Sequence, residues 1–188
     1  AIERAFAAGC HAFVLCNPHN PIGKVLTLEE ELRLSDLAAQ YDVRIFNDEI
    51  HAPFVFEGKH IPFPTISEQA ALQSMTATSA SKSFNIPGTK CAQVLLTNPA
   101  DRDMWAVKAE WSEHQTATIG AIATTAAYNE GDPWFQDAFA TCVGILPCSM
   151  SRCVSGSPES AISSLKARIS HGLILVRLAS KTQPHTSL

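Results

Sequence analysis

The stretch Val43-Arg-Ile-Phe-Asn-Asp-Glu-Ile-His51 begins with an apolar run, Val43 to Phe46, and ends in polar side chains. The pattern occurs twice more: Ala12 to Cys16 precedes Asn17-Pro-His-Asn-Pro-Ile-Gly23, and Met75 to Ala80 leads into Ser79-Ala-Ser-Lys-Ser-Phe-Asn85. Short apolar runs of this kind are typical of strands that are buried on both faces of a sheet. Ligands of open α/β sheets bind at the carboxyl ends of the strands. We therefore expect the three polar clusters to meet.

A helix is predicted between the first two strands. Thr27-Leu-Glu-Glu30 matches a capping box, with Thr27 as the N-cap and Glu30 reaching back to it. The helix is predicted to run to about Tyr41, and its buried stripe has the spacing i, i+3, i+4, i+7: Leu34, Leu37, Ala38 and Tyr41. A strand–helix–strand unit implies parallel pairing.

A third strand is predicted at Met75 to Ser79, and a fourth at Cys91 to Thr97. No helix is predicted between these two strands, and the connection is too short for a standard parallel crossover. We therefore expect the fourth strand to be antiparallel. Together these elements predict an α/β fold.

The composition excludes several function classes. The chain has 188 residues, 46% hydrophobic and 17% charged, with a net charge of −4, which disfavours nucleic acid as a partner. No apolar run approaches the ~20 residues of a membrane span, so we expect no membrane association. The chain begins at Ala1, with no initiator Met and no signal-peptide pattern, which suggests a piece of a longer protein.

The cysteines favour a reducing compartment, which we expect to be the cytoplasm. Cys10, Cys16 and Cys91 lie in or beside apolar runs, where a free thiol behaves as a small hydrophobe. A zinc cluster is disfavoured, because a strand would send its side chains to opposite faces and the spacing fits no common zinc motif; its candidates would be Cys10, His11, Cys16 and His19.

Chemistry is predicted where the polar clusters meet. A lysine (Lys82), an aspartate (Asp48) and an asparagine (Asn20) are the groups that a pyridoxal-phosphate (PLP) site needs. The three motifs, in this order, resemble the large domain of PLP enzymes of the aminotransferase class I/II family. The wording Asp48-Glu-Ile-His51 and Ser79-Ala-Ser-Lys82 is similar to the MalY/PatB branch of cystathionine β-lyase-like C–S lyases. The resemblance covers roughly residues 1–138.

The resemblance implies a three-layer α/β/α sandwich with a mostly parallel sheet, here incomplete. Residues 1–140 would be a partial PLP-binding domain, and residues 141–188 a divergent or frameshifted tail without a recognisable small domain. From about Thr141 serine and cysteine become frequent and helical periodicity lapses. Full-length relatives are expected to be homodimers.

The resemblance also implies roles for individual residues. Lys82 would bind the cofactor covalently and move protons, and Asp48 would keep the pyridine nitrogen protonated. Asn20 would donate to the ring's phenolic oxygen, with His51 nearby. The phosphate would be held by Ser79, Ser81 and Lys90. Which serine faces the phosphate is expected to depend on strand phase, and Gly88 is expected to allow the turn before Lys90.

The implied reaction is α,β-elimination on a sulfur amino acid such as cystathionine, which yields a thiol, pyruvate and ammonia. Transamination stays open, because no residue decides between the two fates. An inactive, truncated remnant also stays open, since the glycine-rich segment and the carboxylate-binding arginine of relatives are not recognisable here.

Two other motifs lack their partners. Asp48-Glu-Ile-His51 resembles the DExH box of an ATPase, but the chain has no G-x-x-x-x-G-K-[ST] loop. Ser79-Ala-Ser-Lys82 matches the S-x-x-K of penicillin-binding enzymes, but their S-D-N and K-T-G motifs are missing.

Overall fold

The computed structural model describes residues 1–154. Four strands form its sheet: β1 (Ala12–Cys16), β2 (Arg44–Asp48), β3 (Ser74–Thr78) and β4 (Gln93–Leu96). The α-helices are α1 (Ile2–Ala7), α2 (Leu28–Gln40), α3 (Glu68–Gln73), α4 (Ala80–Ser83), α5 (Pro99–Lys108), α6 (Glu110–His114), α7 (Thr118–Glu130) and α8 (Asp132–Val154). Short 3-10 turns lie at Phe63–Thr65 and Pro87–Thr89.

The sheet is mixed, with strand order β1-β2-β3-β4. Strands β1, β2 and β3 are parallel, and β4 pairs antiparallel with β3, so both strand-direction predictions are confirmed. The register aligns Cys16 with Asp48 and Asp48 with Ala77. The loops that follow β1, β2 and β3 therefore leave the sheet at one edge.

Helix α2 begins at the predicted capping box. The Thr27 hydroxyl accepts a hydrogen bond from the Glu30 main-chain N–H at 3.2 Å, and the Glu30 carboxylate accepts from the Thr27 N–H at 2.9 Å. Lys24 Nζ lies 2.7 Å from Glu30 Oε1. The buried stripe packs as predicted, with Leu34 and Ala38 buried in the core and Leu37 and Tyr41 against it.

The hydrophobic core lies between one face of the sheet and helices α2 and α3. Leu15 and Ile45 project from β1 and β2 into it. Its other buried members are Phe6, Leu34, Ala38, Val43, Phe63 and Ala70. This arrangement gives the α/β architecture that the sequence predicted.

The opposite face of the sheet is open at β1 and β2. Val14 and Phe46 are register partners there, with 69% and 41% of their surfaces exposed. The described residues thus cover this part of the sheet with helices on one side, as expected of an incomplete three-layer sandwich.

Some local predictions are wrong. The third strand, predicted at Met75 to Ser79, ends at Thr78, and Ser79 instead caps the short helix α4. The sequence from Pro99 to about Ser112 predicts one continuous helix, but the structure breaks it at Ala109 into α5 and α6. Helix α8 continues to Val154, past the lapse in periodicity predicted near Thr141; residues 155–188 of the predicted tail lie outside the described residues.

None of the helices in the described part of the chain is both long and apolar enough to cross a membrane.

Shortening a side chain should affect stability differently on the two faces of the sheet. Ile45→Ala removes a side chain that is 1% exposed, and we expect it to lower the free energy of unfolding by about 2–5 kcal/mol. Val14→Ala, on the open face, is expected to change it by less than about 0.5 kcal/mol. Urea unfolding measures both. A comparable loss for Val14→Ala would mean that another surface covers this face in solution.

Candidate active site

The loop after β1 is fixed at its root by Asn17, which is 1% exposed. Its main-chain N–H donates to the Asp48 carbonyl at 3.1 Å. Its side-chain oxygen accepts from the Leu26 N–H at 3.0 Å, and its amide donates to Glu31 Oε1 at 2.7 Å. The side chain of Asn17 therefore joins the beginning of the loop to its end and to α2. The main chain of Asn17 joins the loop to β2.

Asn20 lies at the tip of this loop, in an exposed turn. The turn is closed by hydrogen bonds from the His19 N–H to the Lys24 carbonyl at 2.8 Å and from the Gly23 N–H to the His19 carbonyl at 2.7 Å. Gly23 has a φ of 68°, a conformation that favours glycine. Asn20 is exposed, and within the described residues no hydrogen bond joins its side chain to the other candidate residues.

Asp48 is the last residue of β2, in register between Cys16 and Ala77. Its Oδ1 accepts a hydrogen bond from the Ile50 N–H at 3.1 Å. The next residue, Glu49, donates its N–H to the Ala77 carbonyl at 2.9 Å. The Asp48 carboxylate is thus held at the carboxyl edge of the sheet.

His51 lies in the turn that follows, half-buried. Burial lowers the pKa of its imidazole; the neighbouring Asp48 carboxylate opposes this shift, and the Lys82 ammonium adds to it. The imidazole therefore lies within electrostatic range of both groups, and near pH 7 its neutral form, with one donor and one acceptor nitrogen, is favoured. The structure thus places Asp48 and Lys82 close enough to His51 for both charges to act on its imidazole.

Lys82 lies in α4 and is exposed. An aromatic cluster joins its helix to the turn of His51: Phe84, two residues after Lys82, packs on Phe135 of α8 with ring centroids 5.8 Å apart. Phe135 also packs edge-to-face on Phe54, three residues after His51, at 5.7 Å. These aromatic contacts fix the two segments relative to each other.

The hydroxyls of Ser79 and Ser81 differ in burial and in their hydrogen-bond partners. Ser79 Oγ is buried, caps α4 by accepting from the Ser81 N–H at 3.0 Å, and donates to the Cys91 carbonyl at 2.6 Å. The two hydroxyls are 2.6 Å apart. Because Ser79 has one proton and a carbonyl only accepts, Ser81 must donate to Ser79. Strand phase, which was expected to choose between the serines, does not apply, because both follow the end of β3; only half-buried Ser81 can turn outward.

Lys90 is exposed and adopts a left-handed conformation, with φ 51° and ψ 58°. Gly88, which was expected to allow this turn, does not have a positive φ, and nothing lies within 4 Å of the Cβ it lacks. The turn is instead backed by α7, where a Cβ on Gly120 would collide with the Thr89 carbonyl oxygen.

Beneath the Asp48 turn lies a group of polar side chains that the sequence analysis missed, here named the buried polar cluster: Asn17, Glu31, Asn47, Glu49 and His60. Glu49 Oε1 accepts from the Asn47 amide and from the Phe63 N–H, and Glu49 Oε2 lies 3.1 Å from His60 Nε2. The spacing along α2 could have predicted the burial of Glu31. It lies three residues before Leu34 and seven before Ala38, on the buried stripe of the helix. Among the described residues no group of three or more potential ligands is arranged to hold a metal ion.

Comparisons with known proteins identify the family of this chain. Residues 1–135 match the family described as aminotransferase class I and II, and the chain belongs to that family. It is 42% identical over 137 residues to the cystathionine beta-lyase of Corynebacterium glutamicum, covering 73% of this chain and 37% of that protein. It is 37% identical over 132 residues to protein MalY of Escherichia coli (strain K12), covering 68% and 33%.

A solved structure gives the same fold. Cystalysin from Treponema denticola, which contains a pyridoxal 5'-phosphate cofactor, matches with a TM-score of 0.72 at 26% identity, over 80% of this chain and 39% of that one. The sheet is therefore part of the PLP-dependent transferase fold. The chain spans about a third of the length of the curated relatives it matches.

The electrostatic contacts of His51 give a test of the site that needs no ligand. Asp48→Asn removes a charge that raises the His51 pKa, so the pKa should fall further. Lys82→Met removes a charge that lowers it, so the pKa should rise. NMR titration of the His51 ring, assigned with His51→Gln, measures both. Lys59→Met, which removes an exposed lysine from the loop after β2, is the matched control; equal pKa values in all variants would show that the three groups are not neighbours.

Proposed function

We propose that this chain is the cofactor-holding part of a PLP-dependent C–S β-lyase, which eliminates a thiol from amino acids such as cystathionine and, with the addition of water, leaves pyruvate and ammonia. The observation that carries the proposal is the grouping of an amine, an imidazole and a carboxylate at the carboxyl edge of β2 and β3, from Lys82, His51 and Asp48. Relatives that are named cystathionine beta-lyase support the substrate class.

The residues present fit PLP. Exposed Lys82 offers an amine for covalent attachment of the aldehyde. The Asp48 carboxylate, held at the strand end by Ile50, would stabilise a protonated pyridine nitrogen. The exposed amide of Asn20 and the neutral imidazole of His51 would donate to the phenolic oxygen.

The phosphate of the cofactor would be bound by Lys90 and by Ser81, whose hydroxyl can turn outward from Ser79. Ser79 would act indirectly, because its own hydroxyl proton is directed to the Cys91 carbonyl. Bound PLP supplies an electron sink for charge that develops at the substrate's α-carbon.

The protein's own side chains would then transfer protons and form hydrogen bonds during the reaction. Lys82 Nζ, once displaced by the amino group of the substrate, would take the α-proton. The Asp48 carboxylate would stay ionised beside the ring nitrogen and keep that nitrogen protonated. His51, which favours the neutral form near pH 7, could hold a hydrogen bond without adding a positive charge beside Lys82.

A second candidate function is transamination. The family to which the chain belongs is described as aminotransferase class I and II, and the same three groups serve the first proton transfer in both reactions. Release of pyruvate from cystathionine favours the lyase, whereas amino transfer to a keto acid favours the transaminase.

The remaining features of the whole protein are also proposals. Residues 1–140 would form part of the PLP-binding domain and residues 141–188 a divergent tail, although α8 crosses this boundary. The full-length enzyme would be a homodimer that acts on small amino acids. The free thiols of Cys10, Cys16 and Cys91 support a reducing, cytoplasmic location.

Cofactor attachment can be tested directly on the 188-residue chain. After incubation with PLP and reduction with borohydride, peptide mapping should find the label on Lys82, and pyruvate release from cystathionine is then measured. Lys82→Gln should lose the label, and the control Lys59→Gln should keep it. Label spread evenly over exposed lysines, unchanged in Lys82→Gln, would refute the proposed site.

The phosphate contacts can be separated from the rest of the site by comparing PLP with pyridoxal, which lacks the phosphate. Lys90→Gln and Ser81→Ala should each weaken labelling by PLP about 10-fold or more, because hydrogen bonds to charged groups contribute ~1.5–3 kcal/mol. Neither variant should change labelling by pyridoxal. Equal losses with both compounds would mean that Lys90 and Ser81 support the fold rather than bind phosphate.

A further inference from the structure

The buried polar cluster connects the two loops of the candidate site. Glu49 holds the turn after β2, because its carboxylate accepts hydrogen bonds from the Asn47 amide and the Phe63 N–H; its other oxygen lies 3.1 Å from His60 Nε2. Asn17 holds the loop after β1 through Asp48 and Leu26. Both sets of contacts lie on the core side of the sheet edge that carries Asp48.

Glu31 is the member of this cluster that comes from α2, and its surface is 0% exposed. Its Oε1 accepts from the Asn17 amide at 2.7 Å. Its Oε2 is buried and has no hydrogen-bond partner among the described residues. An ionised carboxylate with one unsatisfied oxygen is costly in such a place, whereas a neutral acid is much less so.

The charges around Glu31 favour the neutral acid. Burial raises the pKa of Glu31 to about 7, and the Glu49 and Glu30 carboxylates add to this shift, whereas His60 and the hydrogen bond from the Asn17 amide oppose it. Two buried carboxylates, Glu31 and Glu49, face one imidazole, and the Lys24 ammonium binds Glu30 on the exposed side of the helix. A proton on Glu31 lowers the negative charge of this group by one.

We propose that Glu31 is a positioning residue, which as a neutral acid holds Asn17 and thereby the Asp48 edge of the site, and which releases the loop of residues 17–26 when it loses its proton. An ionised Glu31 can be hydrated only if α2 and this loop separate, and that separation breaks the contacts of Asn17. The role in cofactor binding rests on the function proposed above; the buried proton and the loop release do not.

The direction of the pH dependence follows from linkage. The pKa of Glu31 rises on folding from 4.5 to about 7, so between these values the folded chain holds a proton that the unfolded chain has lost. Its contribution to stability is complete below pH 4.5 and is lost as the pH rises through about 7.

Carbon-13 NMR of the wild-type chain, labelled at the glutamate carboxyl carbons, tests the proton. One resonance should titrate near pH 7, and it should be absent from Glu31→Gln. A wild-type spectrum in which no glutamate resonance titrates near pH 7 would overturn the proposal, and this measurement does not depend on whether the variant folds.

Hydrogen exchange tests the release of the loop. Glu31→Gln keeps the shape of the side chain but cannot ionise. At about pH 8.5 peptides from residues 17–26 and 47–54 should exchange about 10-fold faster in wild type than in Glu31→Gln, and at about pH 5.5 the two should be equal. Glu29→Gln, an exposed position in the same helix, should behave like wild type; equal exchange in wild type and Glu31→Gln at both pH values would refute the release.

Cofactor labelling separates this inference from the proposed function. If Lys82 is labelled, labelling of wild type should fall above about pH 7 relative to Glu31→Gln at the same pH, and identical pH profiles would refute a positioning role. If Lys82 is not labelled at any pH, the proposed function fails, while the NMR and exchange results still decide the buried proton.

Discussion

The register of the three parallel strands is the constraint on which the rest of the site depends. It places Cys16, Asp48 and Ala77 side by side, so the segments with Asn20, His51 and Lys82 all leave the sheet at one edge. Three contacts maintain this alignment at the edge itself: Asn17 to Asp48, Glu49 to Ala77, and Ser79 to Cys91. Each joins a loop to a neighbouring strand or to the segment before β4. A slip of one residue would send Asp48 to the opposite face.

The edge is supported differently on its two sides. On the core side the support is polar and specific, through Asn17, Glu31 and Glu49. Beyond β3 it is aromatic, through Phe54, Phe84 and Phe135. Polar contacts fix orientation at a large cost if any partner is missing, whereas ring contacts tolerate small shifts. The Asp48 carboxylate, whose direction matters most for a ring nitrogen, lies beside the polar support.

Local sequence was sufficient for much of this architecture. The capping box at Thr27 and the apolar run Ala12–Cys16 predicted α2 and β1 at their observed positions, because both depend on short-range physics. Strand direction followed from connection lengths. The family and its PLP-dependent fold were predicted from the residue identities in three motifs. Hydrophobic periodicity alone carries no information about the family.

Tertiary contacts decided what the sequence could not. The Ser79 hydroxyl donates to the Cys91 carbonyl, twelve residues away in the sequence, so local sequence could not show that its proton is not available to the phosphate. The burial of Glu31 and His60 depends on how α2 and the loop before Phe63 pack on the sheet. The break at Ala109, which is buried, has no local signal such as proline or glycine.

Position 90 shows a conflict between backbone and side chain. Asp42 and Asn85 also have positive φ angles, near 50°, but short polar side chains tolerate this region, whereas for other residues it costs about 1–2 kcal/mol. A glycine at position 90 would relieve the strain and stabilise the fold, yet it would remove the cation. The residue that best suits the backbone at this position therefore lacks the positive charge. A search for stabilising substitutions would tend to eliminate the phosphate contact proposed for Lys90.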